Sequence, residues 1–568
     1  MKRVSKNKFF IIITFCVVFV TSAIISGFNL FYTRNTSSKS FLVDNMVKHI
    51  RTISNEEHSV FNQEALEDVR NYIVQCLDSY GVDNEKVTHE IKYLYNREKE
   101  QVEECEIKNI YAEIPGNSGV NILLLAHYDS SPYKVKYGQV TNNSHGAFDD
   151  GYGISTLLEI ARVYAKESSL INGIKFAFLD SEEVGLDGAY ALFEHNRTWI
   201  NDVNIVINVE SRGNTGPVYL FETSKNNSKL IDFYQNAGFP FAFSIASEIY
   251  GIMPNSTDLS VFLDNGFNCM NLATLDGLKY YHTEQDNFSN IDKNSLASYC
   301  NTLLPLLEEY TQNNTYSKMN AFDSDHDAVF STILPNVIIN LHPTIVKILI
   351  VVCAIVVVLM CVLYKLSKKT KFSKILLSFL FDILTLGLVF GVGFGLIQLL
   401  CKIFALPFNF MFVVGVPLDK LFLIVFVLLT FGLVLIVRKI KTKSKIDNNA
   451  QILSVLIIFS ILTIVSAFIL FSASIIFVIP TLLFSICAGV NLINHQKIKT
   501  IMSFICIGIA SVVVLNLFVL VVYSIFVSLS FGSLAVLLLL SSMPFLIIIP
   551  QIYNIQFSKK EQWVKGTF

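Results

Sequence analysis

Beyond residue 340 the sequence becomes a succession of apolar runs, each near the ~20 residues that a membrane-crossing helix needs. No other feature limits so strongly what the chain can fold into. Eight candidate spans stand out, at 9–28, 345–364, 375–400, 421–437, 452–472, 474–492, 500–525 and 533–553. Between the first and the second lies a long stretch with the mixed polarity of a globular domain. The expected order is a tail at 1–8, an anchor at 9–29, a globular domain at 30–325 and a linker at 326–343. A transmembrane domain of about seven helices follows at 344–555, with a tail at 556–568.

Basic residues orient these spans. The flanks "KRVSKNK", "KLSKKTKFSK", "RKIKTKSK", "NHQKIK" and "SKKEQWVK" fall on one side of an eight-span arrangement, and the positive-inside bias makes that side cytoplasmic. The segment 30–340 is then extracellular in a bacterium, which the richness in Ile, Asn, Lys and Phe favours, or lumenal in a eukaryote. "VTSA" in the first run offers a cleavage site, but the apolar run continues past it, so an uncleaved anchor is expected.

Charge divides the chain in the same way. Of 44 basic and 46 acidic residues, 22 and 4 lie in 1–8 and 341–568, which leaves 22 and 42 for 9–340. So acidic a domain does not suit nucleic acid, and it attracts cationic groups weakly. The ten cysteines include no C-x-x-C pair, so no thiolate metal site is signalled.

Within the globular segment, residues 62–80 carry an amphipathic helix pattern that Gly81 stops. Strand-like runs follow at 107–114, 120–129, 173–180, 203–210 and 267–275, with a helical pattern at 152–167. The strands are apolar almost throughout, which implies burial on both faces. Alternating strands and helices predict an α/β domain with a mostly parallel central sheet flanked by helices. An all-α multi-span region follows it.

What ends the strands carries the chemistry. "NILLLA" leads to His127 and Asp129, "IKFAFLD" to Glu182 and Glu183, "NIVINV" to Glu210, and the run at 267–275 to His282 after a short loop. Ligands of open α/β sheets bind beyond the carboxyl ends of the strands, so these groups are expected at one edge. Each has a plain alternative. Asp149 and Asp150 suit a helix start, as do Glu182 and Glu183 behind a Ser181 cap. His282 in a polar loop suits a solvated histidine. Together they offer two imidazoles and three carboxylates for metal, with one acid to spare, a donor set that suits zinc in an open site.

"LLLAHYDSSP", "GAFDDGYGIS", "FLDSEEVGLDGA", "NVES" and "YYHTEQDNFSNID" resemble, in order and spacing, the co-catalytic zinc aminopeptidases of metallopeptidase family 28. The resemblance covers roughly residues 45–310. The added spans make the chain similar to the membrane-bound branch, the vacuolar membrane proteases and endoplasmic reticulum metallopeptidases. The resemblance implies two zinc ions per chain, one held by His127, Asp149 and Glu210, the other by Asp149, Glu183 and His282. It implies Glu182 as general base and acid, Asp129 as the residue that orients His127, and a peptide as substrate. Soluble relatives usually have Asp where this chain has Glu210, whereas the membrane branch often has Glu. Three other readings stay open: a glutaminyl-cyclase-like acyl transfer with one zinc, an inactive peptidase-like receptor, and a transporter that uses Asp382.

Overall fold

The computed structural model describes residues 17–27 and 43–555, apart from positions 98, 133, 137, 138, 142, 143, 254, 335, 411 and 412. It divides into two compact units, one of residues 30–342 and one that joins residues 1–29 to residues 343–568. The expected tails at 1–8 and 556–568 lie outside the described residues, as does 9–16 of the first apolar run.

The first unit is built on a seven-stranded sheet. Its strands are β1 (Asp83–Asn96), β2 (Gln101–Ile114), β3 (Asn121–His127), β6 (Gly173–Leu179), β7 (Val203–Ser211), β8 (Thr215–Thr223) and β9 (Cys269–Asp276), in the order β1-β2-β6-β3-β7-β9-β8. Two small hairpins stand apart, β4 (Lys134–Lys136) with β5 (Gln139–Thr141), and β10 (Val329–Leu334) with β11 (Val337–Leu341). The four central strands run parallel, while both edges are antiparallel. The sheet is therefore mixed, with the predicted parallel part at its centre.

Helices cover both faces. With α1 (Val17–Gly27) set aside as part of the second unit, they are in chain order α2 (Val43–Ile53), α3 (Gln63–Tyr80), α4 (Gly151–Tyr164), α5 (Glu182–Gly185), α6 (Asp187–His195), α7 (Ser228–Tyr234), α8 (Ser244–Tyr250), α9 (Asp258–Asp264) and α10 (Lys293–Gln312). Asn62 caps α3, and Gly81 ends it in the left-handed region at φ 73°. Every residue of β3, β6, β7 and β9 is buried. Strand alternation explains why. Ile122, Leu124 and Ala126 of β3 join the core under α2, α3, α4 and α10, while Leu123 and Leu125 join the core under α6 and α9. A buried aliphatic side chain of this kind contributes about 1.5–3 kcal/mol, and the continuous apolar runs supply one to each face.

The second unit is helical: α11 (Pro343–Leu366), α12 (Phe372–Ile403), α13 (Asp419–Lys443), α14 (Asn448–Ile469), α15 (Ser474–Val490), α16 (Gln496–Leu529) and α17 (Leu534–Tyr553). These make six apolar helical stretches long enough to cross a membrane, because α16 and α17 run on through a 3-10 turn at Ser530–Ser533. A straight 58-residue helix would be ~87 Å long, far beyond a ~30 Å hydrocarbon core. Ser530, at φ 50°, breaks the run, and α16 and α17 pack against each other. The chain is thus a multi-pass membrane protein by the length and apolarity of its helices. The described part of the first run, α1, has 11 residues. It packs in this same unit, where Ser26 Oγ donates to Asn516 Oδ1 at 3.1 Å and the Phe19 ring lies 5.8 Å from that of Phe431.

Asp382 of α12 is fully buried and satisfied on several sides: Lys441 of α13, Ser454 of α14 and Ser378 all donate to its carboxylate. It joins three helices. Gly393 of α12 meets Ala535 of α17 so closely that an added Cβ would stand 2.7 Å from its Cα, whereas Gly391 and Gly395 face open space. Replacing Asp382 by Asn is expected to lower bundle stability by about 1–2 kcal/mol, read as a lower melting temperature of the purified chain in detergent.

Candidate metal centre

Strand register brings the first groups together. β3 and β7 pair in parallel with Leu125 opposite Asn208. Two residues further on, that register sets His127 opposite Glu210, on the α6 and α9 side of the sheet. His127 Nε2 lies 3.5 Å from Glu210 Oε1 and 3.3 Å from Asp149 Oδ1. Asp149 comes from the loop before α4, where Asp150 caps the helix by accepting from Gly153 N–H at 2.9 Å. Only glycine fits at 153, since a Cβ there would come 2.3 Å from the Val209 carbonyl oxygen of β7. That close approach carries the Asp149 loop to the end of β7.

The second triangle shares Asp149. His282 Nε2 stands 3.3 Å from Asp149 Oδ2 and 3.0 Å from Glu183 Oε2. His282 adopts φ 52°, a left-handed backbone that is uncommon outside glycine and often marks a functional position. Its ring stacks on Tyr281 at 3.7 Å between centroids. His127, Asp149, Glu183, Glu210 and His282 thus converge from five separate segments, with Glu182 and Asp129 beside them.

Asp129 does more than face His127. Its carboxylate accepts the backbone N–H groups of Glu182 at 3.0 Å and Glu183 at 3.3 Å, and its Oδ1 lies 3.4 Å from His127 Nδ1. The expected Ser181 cap does not form: Ser181 sits at φ 60° and its hydroxyl faces Asp187 instead. A residue 53 positions away supplies the cap, which positional rules for helix starts do not capture.

The electrostatics are those of a crowded acidic pocket. Burial opposes charge on His127, yet Asp129, Asp149 and Glu210 hold its pKa well above the ordinary imidazole range. Burial likewise opposes charge on His282, but Glu183 and Asp149 raise it to about 10. Burial drives Glu182 well above a normal carboxylate, with Glu210, Glu183 and Asp258 adding to it. Burial also lifts Glu183 to about 7. For Asp149, burial pushes upward, but the two imidazoles prevail and hold it below the usual range. Buried polar atoms are normally paired, yet His127 Nε2, Asp149 Oδ2, Glu183 Oε1 and His282 Nε2 have no hydrogen-bond partner. These inward-facing nitrogen and oxygen donors fit a cation of zinc's chemistry.

Several supporting residues carried no sequence signal of their own. Asp286 accepts from Ser144 Oγ at 2.8 Å and Phe148 N–H at 2.9 Å, bracing the Asp149 loop. Asn208 donates to Glu210 Oε2 at 2.7 Å, two residues along the same strand face. Asp258 opens α9 with both carboxylate oxygens buried and unpartnered, within electrostatic reach of His127 and Glu210. The capping box that starts α9 uses Thr257 and Ser260.

Residues 109–307 match the sequence profile of peptidase family M28. The chain is 29% identical over 259 residues to a vacuolar membrane protease of Candida dubliniensis, covering 45% of this chain and 25% of that protein. It is 33% identical over 210 residues to a vacuolar membrane protease of Vanderwaltozyma polyspora, covering 35% of this chain and 20% of that protein. The chain therefore spans about a quarter of the length of these curated relatives. Among solved structures, a glutaminyl cyclase of Porphyromonas gingivalis aligns over 48% of this chain and 100% of its own, at 21% identity and TM-score 0.39. An aminopeptidase from Aneurinibacillus aligns over 48% and 95%, at 15% identity and TM-score 0.38.

Proposed function

The chain carries a peptidase family M28 domain over residues 109–307, and from that premise we propose that it is a membrane-anchored zinc peptidase that releases N-terminal residues from peptides. The observation that carries this reading is the pair of imidazole–carboxylate triangles joined at Asp149, with four inward-facing atoms left without hydrogen-bond partners. His127, Asp149 and Glu210 would hold one zinc, and Asp149, Glu183 and His282 a second. Zinc, when bound, supplies Lewis acidity toward water and the scissile carbonyl.

The chain's own residues do the rest. Glu182 takes the proton of the attacking water at a carboxylate oxygen and returns it to the departing amine nitrogen. Asp129 holds His127 at Nδ1 and, through the backbone of Glu182 and Glu183, fixes the base relative to that imidazole. The surrounding carboxylates favour a substrate that arrives with a free, protonated amine. Segment 30–325 is the peptidase domain in this reading. It lies on the side opposite the Lys/Arg-rich connections, outside the cytoplasm, with 344–555 and the first apolar run as its membrane part.

The test compares the purified full chain with Glu182→Gln, reading zinc by elemental analysis and peptide cleavage by mass. Glu182→Gln should keep its zinc while turnover falls by about 10²–10⁴-fold. Unchanged turnover removes Glu182 from its role. A wild-type chain without zinc and without hydrolysis removes the peptidase reading.

A further inference from the structure

Two residues past Glu210, at the exit of β7, stands a cation in otherwise acidic surroundings. Arg212 places its guanidinium 5.7 Å from the centre of the Tyr281 ring, and Tyr281 stacks on His282. Its charge is also felt at Tyr250, the last residue of α8, a side chain that is within electrostatic reach of Glu210 and Glu182 as well. Tyr250 in turn packs edge-on against Phe221 at 4.9 Å. The guanidinium therefore lies at the rim of the cluster, beside Tyr281 and within electrostatic reach of Tyr250.

The backbone that carries Arg212 is fixed. Its N–H donates to the Thr274 carbonyl at 2.9 Å, and the next residue is held on its carbonyl by Ser211 Oγ at 2.9 Å and Thr274 Oγ1 at 2.6 Å. An added Cβ at Gly213 would come 2.3 Å from the Asp276 carbonyl oxygen, so the loop has little room to move. A charged group on so firm a base is suited to recognition. The side chain is half-buried, and a guanidinium offers five donors in a planar fork, so it can serve a neighbour and still face a ligand.

We infer that Arg212 receives the free C-terminal carboxylate of a short peptide, so that the site selects dipeptides and close homologues over blocked or internal segments. This inference rests on the peptidase reading above. Two arguments carry it. Arginine matches carboxylate geometry better than any other side chain, and at this rim it opposes the acidic wall that suits a free amine, giving a site complementary to a zwitterion.

The experiment uses the full chain with Glu182→Gln, so that nothing is turned over, and measures binding of leucyl-leucine and of its C-terminal amide by calorimetry. With Arg212 present, the free acid should bind about ten- to a hundred-fold more tightly than the amide, the range of a charge-assisted hydrogen bond. Arg212→Gln should bring the ratio to about one, and Arg212→Lys should restore part of it. A ratio near one with Arg212 in place overturns the inference. So does a preference that survives Arg212→Gln, or equal weakening of acid and amide, the mark of an arginine that merely braces Tyr281. Hydrolysis of leucyl-leucine by the chain with Glu182 intact is scored separately: its absence counts against the peptidase reading, while the binding ratio still decides the role of Arg212.

Discussion

Replacing Asp149 by Asn should, under the two-zinc proposal, strip both ions from the chain and lower peptide hydrolysis by at least about a thousand-fold. The reason is position. Among the described residues, Asp149 is the one carboxylate that reaches both imidazoles, 3.3 Å from His127 Nε2 through Oδ1 and 3.3 Å from His282 Nε2 through Oδ2. An asparagine keeps the volume but offers one neutral carbonyl oxygen in place of two anionic ones. Glu210→Gln is the control, because Glu210 touches only the His127 triangle. It should cost about one zinc per chain. Elemental analysis after dialysis reads both. If the two variants retain equal zinc, Asp149 does not bridge, and the two-metal proposal fails with it. Loss of the several kcal/mol of charge stabilisation that metal provides corresponds to three or more decades of rate.

Arg70→Met should cost the sheet-containing unit about 3–5 kcal/mol, the usual result of breaking a buried ion pair on one side. Arg70 and Asp180 are both fully buried, with Arg70 Nη2 at 2.7 Å from Asp180 Oδ2. Arg70 Nε also donates to Tyr128 Oη at 2.6 Å, and the Tyr128 hydroxyl donates in turn to the Lys108 carbonyl. Asp180 precedes the Glu182 turn and Tyr128 lies between His127 and Asp129, so one guanidinium ties the ends of β3 and β6 beneath the site. Removing it leaves the Asp180 carboxylate buried without its counter-charge. At ~2–4 °C per kcal/mol for a domain of this size, the melting transition should fall by roughly 10 °C. The double variant with Asp180→Asn should recover part of the loss, since the stranded charge goes too. A single-variant loss under about 1 kcal/mol would falsify the clamp.

How much of this was legible beforehand follows physical lines. The central strands β3, β6, β7 and β9 declare themselves because burial on both faces makes them apolar without interruption. β1 and β8 do not: β1 is an edge strand whose residues alternate between half-buried and exposed, and β8 lies on the opposite edge, beyond β9. The groups at the strand ends could be named because parallel register turns sequence position into spatial position. What supports them could not. Asp129 caps Glu182, Arg70 pairs with Asp180 across 110 positions, and Asp286 braces the Asp149 loop across 138. Each is a bond between segments whose proximity only the finished fold creates. Lys441 shows the same limit: in the sequence it is one more charge in a basic flank, and in the bundle it pairs with Asp382.

The parallel centre of the sheet has a kinetic corollary. Parallel neighbours are joined through long crossovers, and pairings between distant positions form late because loop closure must precede them. His127 and His282 meet only once β3, β7 and β9 have all zipped together. Under the proposed function, a newly made chain should therefore gain the power to cut only as these strands close.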